Sequence, residues 1–380
     1  MTTQNNIPLS LYIHLPWCVK KCPYCDFNSH LGKLIPEKEY INTLITDLKI
    51  DLELSNNRKI ETIFIGGGTP SLFSGDSIQE LLDRINQLVS IDKTAEITLE
   101  ANPGTIDIKN FIQYRQAGIN RLSLGIQSFN AQHLKKLGRI HNADEALHAI
   151  EYARTAGFKN INLDLMFGLP EQSIDAGLQD LQHAILQKPE HISWYQLTLE
   201  PNTVFYRHPP SLPTEDYIAE LHSLGQNLLA ENNYQQYEIS AYAKPNSQCK
   251  HNINYWQFGD YLGIGAGAHG KITCMHSKKI LRRQKYKLPR AYMAKIFSDA
   301  QDIKIDQATC IFEFMLNALR LTQSLSFDLF SERTRLPIDV LIPYLQQAKS
   351  QNFITYNHKM LIVTAHGRRY LNNLLEIFLP

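Results

Sequence analysis

The stretch LSLYIHLPWCVKKCPYCDF, residues 9–27, decides how this chain is read. Its first part, LSLYIHL (9–15), is short, apolar and rich in β-branched and aromatic residues, and Pro16 closes it. That is a strand followed by a loop. The loop carries Cys18, Cys22 and Cys25, spaced as Cys-x3-Cys-x2-Cys. Three thiolates so close can wrap one metal centre. A closed zinc site wants a fourth protein ligand, and the neighbourhood offers none, so zinc requires a distant histidine. A four-iron, four-sulfur cluster held by three cysteines leaves one iron open to an outside ligand. Cys249, Cys274 and Cys310 are scattered far downstream. That usage fits a reducing cytosol with a thiolate metal site better than a disulfide scaffold.

Outward from that loop, apolar runs alternate with amphipathic stretches. TIFIGGG (62–68), EITLEANP (96–103), RLSLGIQSF (121–129), NINLDLMFGLP (160–170) and HISWYQLTLEP (191–201) continue the strands. Apolar spacing of three and four predicts helices over 37–54, 75–90, 106–117, 142–156 and 174–187. Six strands joined by helical crossovers imply a parallel sheet. Unusual polar or glycine-rich positions follow the C-terminal ends of strand after strand: the cysteine loop, Gly66-Gly67-Gly68-Thr69, Glu100, Gln127 and Asp164. In barrel-like folds that rim carries the site. The expected fold is therefore α/β, a partial six-stranded parallel β/α barrel over residues 1–207.

After Pro201 the rhythm changes. HPPSLP (208–213) reads as a connector, 214–231 as a helix, YEISAYA (237–243) as one short strand, and GDYLGIGAGAHG (259–270) as a glycine-rich loop. The basic run KKILRRQKYK (278–287) reads as a solvated strip. An α+β extension is expected over 208–300, and a small helical, winged-helix-like module over 301–380 with a hairpin at 353–364.

Composition narrows the function classes. Thirty-eight Lys and Arg against 37 Asp and Glu leave a formal charge of +1, which excludes a global basic field for nucleic acid. No apolar run approaches the roughly 18–20 residues that span a bilayer, and MTTQNNIPLS (1–10) lacks the basic start of an export signal. The expectation is a cytoplasmic protein with at most peripheral membrane contact and no nucleic-acid partner.

The CxxxCxxC spacing resembles the radical S-adenosylmethionine (SAM) superfamily, and Gly66-Gly67-Gly68-Thr69-Pro70 resembles its strand-two glycine motif. The resemblance implies a 4Fe-4S cluster on Cys18, Cys22 and Cys25, with SAM on its open iron. Over essentially the whole chain, YIHLPWC, GGGTPSLF, LEANP, GIQSF, LGRIHN and DLMFGLP resemble the oxygen-independent coproporphyrinogen III oxidase family and its relatives. It implies Tyr12, Gly67, Gly68, Thr69, Glu100, Gln127, Arg139 and Asp164 as SAM contacts. Chemistry agrees for three: Glu100 can pair with the methionine ammonium, Arg139 can fork onto its carboxylate, and Asp164 can accept from ribose hydroxyls.

Three departures separate the chain from the oxidases. Phe27 stands where their motif has a fourth cysteine, the first strand starts near residue 9, and His251-Asn252-Ile253-Asn254-Tyr255-Trp256 is similar to the HNxxYW motif of HemW-type haem chaperones. These relatives bind haem and deliver it to respiratory haem proteins. The resemblance implies His251, Asn252, Tyr255 and Trp256 as haem contacts: a neutral imidazole for the iron, with Cys249 as the alternative, and aromatic faces for the porphyrin. His14, His30, His141, His269 and His276 have no spacing that marks them out. The expected function is haem binding and delivery, with homodimerisation left open; the alternative is oxidative decarboxylation of coproporphyrinogen III to protoporphyrinogen IX. A tRNA-modifying radical enzyme ranks behind both, since the charge balance gives it no support.

Overall fold

The computed structural model describes residues 7–32, 34–274, 279–295 and 301–380. His276, Lys278 and most of the N-terminal decapeptide lie outside the described residues. Six strands run parallel in chain order: β1 (Leu9–Leu15), β2 (Ile60–Gly67), β3 (Ile91–Ala101), β4 (Arg121–Gln127), β5 (Ile161–Phe167) and β6 (His191–Gln196). Between them come α1 (Glu37–Leu52), α2 (Gly75–Leu88), α3 (Ile108–Gln116), α4 (Ala131–Lys136), α5 (Ala143–Thr155) and α6 (Ile174–Leu186). Side chains start several of these helices: Ser74 caps α2, Asp107 caps α3, Ser173 caps α6, and Asn142 with Glu145 forms a capping box on α5.

Strand periodicity sorts the residues onto two faces. Leu9, Leu11, Ile13 and Leu15 of β1, with Leu122, Leu124 and Ile126 of β4, join the core that α1 and α2 cover through Tyr40, Leu44, Leu81 and Ile85. Neighbouring helices touch, α1 on α2, α2 on α3 and α3 on α5, so they form one outer layer. The alternate positions are polar: Ser10, Tyr12 and His14; Glu96, Thr98 and Glu100; Arg121, Ser123 and Gln127; Asn162 and Asp164; His191 and Ser193. Helices on one face and polar residues on the other is the partial-barrel arrangement.

The remaining strands extend the same sheet at both edges. Beyond α7 (Val204–Arg207) and α8 (Glu215–Glu231), β7 (Gln235–Glu238) and β8 (Ala241–Ala243) are added beside β6. The run 237–243, expected as one strand, is thus an antiparallel hairpin broken at Ile239 and Ser240, because Glu238 accepts from Ser240 N and Oγ and closes the turn. Next come α9 (Lys250–Trp256), β9 (Asp260–Ile264), β10 (His269–Thr273), β11 (Ile280–Gln284), α10 (Pro289–Lys295) and β12 (Gln301–Lys304). The stretch 259–270 is not a loop throughout: β9 pairs parallel with β1, Tyr12 opposite Gly263, and makes a seventh parallel strand. Its glycines serve close backbone approach, since a Cβ on Gly263 would lie 1.9 Å from the His269 carbonyl oxygen.

The basic run is tied down rather than simply solvated. Arg283 pairs with Asp51 and Asp302, Lys285 with Asp47 and Asp51, and Arg282 with Glu313. The C-terminal part contains α11 (Gln307–Ala318), α12 (Phe327–Thr334), α13 (Ile342–Ser350), and a small sheet of β13 (Leu325–Ser326), β14 (Ile354–Tyr356) and β15 (Met360–Val363), with the hairpin as expected. Its core of Phe314, Phe330, Leu345 and Leu361 also takes in Phe258 and Ile280, which docks it on the sheet. Among the described residues no helix is long and apolar enough to cross a membrane.

Candidate functional site

A cavity of about 480 Å³ opens at the C-terminal ends of the parallel strands, a size usual for small-molecule sites. Cys18, Cys22 and Cys25 line it, together with Gly67, Gly68, Thr69, Glu100, Gln127, Arg139, Asp164, Asn252 and Trp256.

The cysteine loop is fixed against the strand-two glycines. Gly68 N donates to Leu15 O (2.9 Å), Thr69 N to Trp17 O (2.8 Å), and Thr69 Oγ1 to Cys18 Sγ (3.4 Å). The glycines make that contact available: a Cβ on Gly68 would lie 2.5 Å from Trp17 O, and Gly67 has φ +120° with the His14 ring beneath it. Their bareness therefore already serves contact within the chain. Phe205 N of α7 donates to Pro23 O (3.0 Å), and Asn28 Nδ2 donates to Ala266 O (2.9 Å), pinning the loop from two further sides. Burial raises the Cys18 and Cys25 thiols, and neighbouring cysteines add to the effect. Loading a metal centre must then displace protons. Among the described residues no three His, Cys, Asp or Glu side chains are gathered around a single ion position. Three soft thiolate donors on one loop suit an iron–sulfur cluster with one thiolate per iron. Phe27, in place of a fourth cysteine, lines the cavity and is largely exposed.

Behind the loop stand two carboxyls. Glu100 accepts from Gly67 N (3.1 Å); burial first, then the nearby Asp164, pushes its carboxyl up to about 8, against the pull of Arg121. Asp164 accepts from Ser123 Oγ (2.9 Å) and Asn162 Nδ2 (2.8 Å); burial pushes it up, opposed by these bonds. The second is aimed by a directional chain. Asn162 Oδ1 lies 2.6 Å from His191 Nδ1, and His191 Nε2 lies 2.8 Å from Tyr237 Oη, which accepts from Cys249 N (3.3 Å). Arg139 donates to Gly125 O (2.8 Å) and points at Cys22 Sγ (3.8 Å). Gln127 sits at φ +69°, a left-handed conformation for a non-glycine residue at a register shift, and accepts from Tyr195 Oη (2.7 Å). Seven of the eight expected SAM contacts line the cavity; Tyr12 does not, its hydroxyl being 2.9 Å from His14 Nδ1.

Helix periodicity divides the HNxxYW segment, because residues four apart share a face. Asn252 and Trp256 line the cavity. His251 and Tyr255 do not: Tyr255 Oη donates to Tyr261 Oη (2.7 Å), and His251 is buried with its ring against Phe64. Thr62 Oγ1 spends its own hydrogen on Ser10 Oγ (2.7 Å), so it accepts from His251 Nδ1 (2.9 Å), which leaves the lone pair on Nε2. Burial, then Arg121, holds that imidazole down to about 3, hence neutral. Cys249 is fully buried; its Sγ faces Glu96 Oε1 (3.5 Å), and burial pushes its thiol up to about 12.

The sequence reading missed Ser123, Ser193, Tyr195, Glu238, Ser240 and Arg320, which also line the cavity. The strand residues were signalled by polar side chains every second position within apolar runs. For Arg320, just beyond α11, no local signal exists.

Known proteins resemble the chain over essentially its whole length. Residues 12–184 match the radical SAM superfamily, and residues 305–370 match the HemN C-terminal domain. The chain is 48% identical to the heme chaperone HemW of Escherichia coli and 50% identical to that of Haemophilus influenzae, each over 98% of both chains. Among solved structures, coproporphyrinogen III oxidase (HemN) from Escherichia coli has the same fold, with a TM-score of 0.82, 22% identity, and coverage of 99% of this chain and 91% of that one. With a full-length match of that strength, the chain belongs to the radical SAM superfamily and, within it, to the heme chaperone HemW family.

Proposed function

We propose that this protein binds haem and delivers it to respiratory haem proteins. Membership of the radical SAM superfamily implies a 4Fe-4S cluster and SAM. Cys18, Cys22 and Cys25 would hold the cluster, and Gly67, Gly68, Thr69, Glu100, Gln127, Arg139 and Asp164, with Tyr12 behind them, would hold SAM. When bound, the pair supplies the capacity for reductive cleavage of SAM. The chain's own work is to keep the cysteine loop rigid and aim two carboxyls.

The observation that carries the haem reading is that one cavity is shared. Asn252 and Trp256 of the HNxxYW helix share it with the cysteines and the expected SAM contacts. His251 has the tautomer of a metal-ligating histidine, Nδ1–H donated and Nε2 bare. Its burial means that ligation of haem iron requires α9 to turn towards the cavity. The names of the relatives support the same reading.

The test is one anaerobic reconstitution, divided between haem titration and coproporphyrinogen III turnover with SAM and reductant. Saturable haem binding at one equivalent, with no protoporphyrinogen formed, is the expected result. Multiple-turnover decarboxylation would overturn the reading and assign the oxidase activity instead.

A further inference from the structure

Three nitrogen donors on cavity-lining side chains are buried without a hydrogen-bond partner: Arg139 Nε, Trp256 Nε1 and Arg320 Nε. An unpaired buried donor costs free energy, and at the wall of a cavity an acceptor on a ligand can meet it. Arg139 lies beside Cys22, where the SAM carboxylate is expected. The other two belong to a different wall.

Trp256 ends α9, and Arg320 follows α11. The Arg320 guanidinium lies 4.3 Å from the Trp256 ring, and its Nη2 donates to Glu238 Oε2 (3.0 Å). Glu238 is already held by Ser240 N (3.0 Å) and Ser240 Oγ (2.9 Å), so it fixes the guanidinium in place. Packing of Leu321 on Tyr237, Ala241 and Ala243, beside Trp256, brings this C-terminal arginine into the wall. About a third of the Arg320 side chain remains exposed (32%), leaving an edge for a ligand.

Arginine and the indole donate only, and one carries a fixed positive charge. A rigid cation stacked on a broad aromatic surface selects a carboxylate borne on a flat apolar body. We infer that Trp256 and Arg320 form a carboxylate-recognition subsite that takes a propionate of the porphyrin. The inference rests on the haem-binding reading above and adds the group by which the cargo is held.

Equilibrium titrations with haem and with haem dimethyl ester, whose propionates are blocked, test it on the full-length reconstituted protein. The wild type should prefer the free acid. Arg320→Met should weaken haem binding roughly tenfold to hundredfold, the worth of a hydrogen bond to a charged group, and leave ester binding unchanged. Arg320→Lys should fall between, since it keeps charge but not the planar fork. Trp256→Phe keeps an aromatic face but removes the N–H together with the five-membered ring. The lost area weakens acid and ester alike, so the lost N–H is read as a smaller acid preference, and this variant carries the test if Arg320→Met fails to fold. Iron and sulfide content should stay at wild-type level throughout. Equal wild-type binding of acid and ester, or a full acid preference in the folded variants, would overturn the subsite while the haem reading stands. Binding of neither probe by the wild type would defeat the haem reading, and the subsite with it.

Discussion

Protonation of Glu100 should make SAM binding depend on pH with a defined sign and size. Its carboxyl is pushed up to about 8 by burial and by Asp164, so at neutral pH it is mostly neutral. An arriving methionine ammonium favours the ionised form and drives the proton off. Below the raised pKa, affinity should therefore fall as pH falls, by up to tenfold per pH unit. With a pKa of about 8, roughly one carboxyl in a hundred is ionised at pH ~6 and one in four at pH ~7.5. The affinity gain across that window is about 25-fold, on the order of 2 kcal/mol. The amine of SAM stays mostly charged over the same window, since α-amino groups titrate near ~7.7–8.0. Isothermal titration of anaerobically reconstituted protein, in two buffers of different ionisation enthalpy, reads both quantities. Most of one proton should be released per SAM at neutral pH. Glu100→Gln should flatten the pH slope and weaken binding roughly tenfold to hundredfold. A flat wild-type profile with no proton released would refute the reasoning: Glu100 would then be ionised beforehand, or would not meet the ammonium.

Further outcomes follow from the same geometry. Cys22→Ser should abolish cluster iron and sulfide while leaving haem retention largely intact, measured by pyridine haemochrome, because the haem contacts proposed here do not include the cysteines although they share the cavity. Loss of both from a folded protein would show that haem is held through the loaded cluster. His251→Ala should weaken haem retention without changing cluster content, and unchanged retention would remove it as the iron ligand. Gly68→Ala should displace the cysteine loop, because its Cβ would lie 2.5 Å from Trp17 O; a cost of about 1–3 kcal/mol and reduced cluster loading are expected, read by chemical denaturation and iron analysis. Asp260→Ala should cost about 3–5 kcal/mol, because it strands the buried Lys271, whose Nζ lies 2.9 Å from Asp260 Oδ1, and frees Arg58. A denaturation midpoint equal to that of the wild type would show that this pair is not holding β9.

The parts of the fold that repeat a local pattern were legible in the sequence. Each of the six strands has its own apolar run and its own terminator, and the cysteine loop needs only its spacing. What escaped depended on partners distant in sequence. Tyr261, Leu262 and Ile264 became a strand because β1 offered an edge, although the surrounding glycines look like a loop. The hairpin at 235–243 hinges on one acceptor, Glu238, which no propensity scale identifies. The HNxxYW motif was visible as letters, yet its division between packing and cavity is a property of the helix, with His251 on one face and Asn252 on the next. Arg320 reaches the cavity only because the C-terminal core docks through Phe258 and Leu321.

The central claim is delivery, and transfer tests it most directly. Anaerobically reconstituted protein loaded with one equivalent of haem would be mixed with the apo form of a respiratory haem protein, and the acceptor's absorbance followed against a free-haem control. The account predicts stoichiometric movement of haem to the acceptor, faster than from free haem and lost with His251→Ala. Haem that never binds, or that stays on the chain while coproporphyrinogen III is consumed, would contradict it.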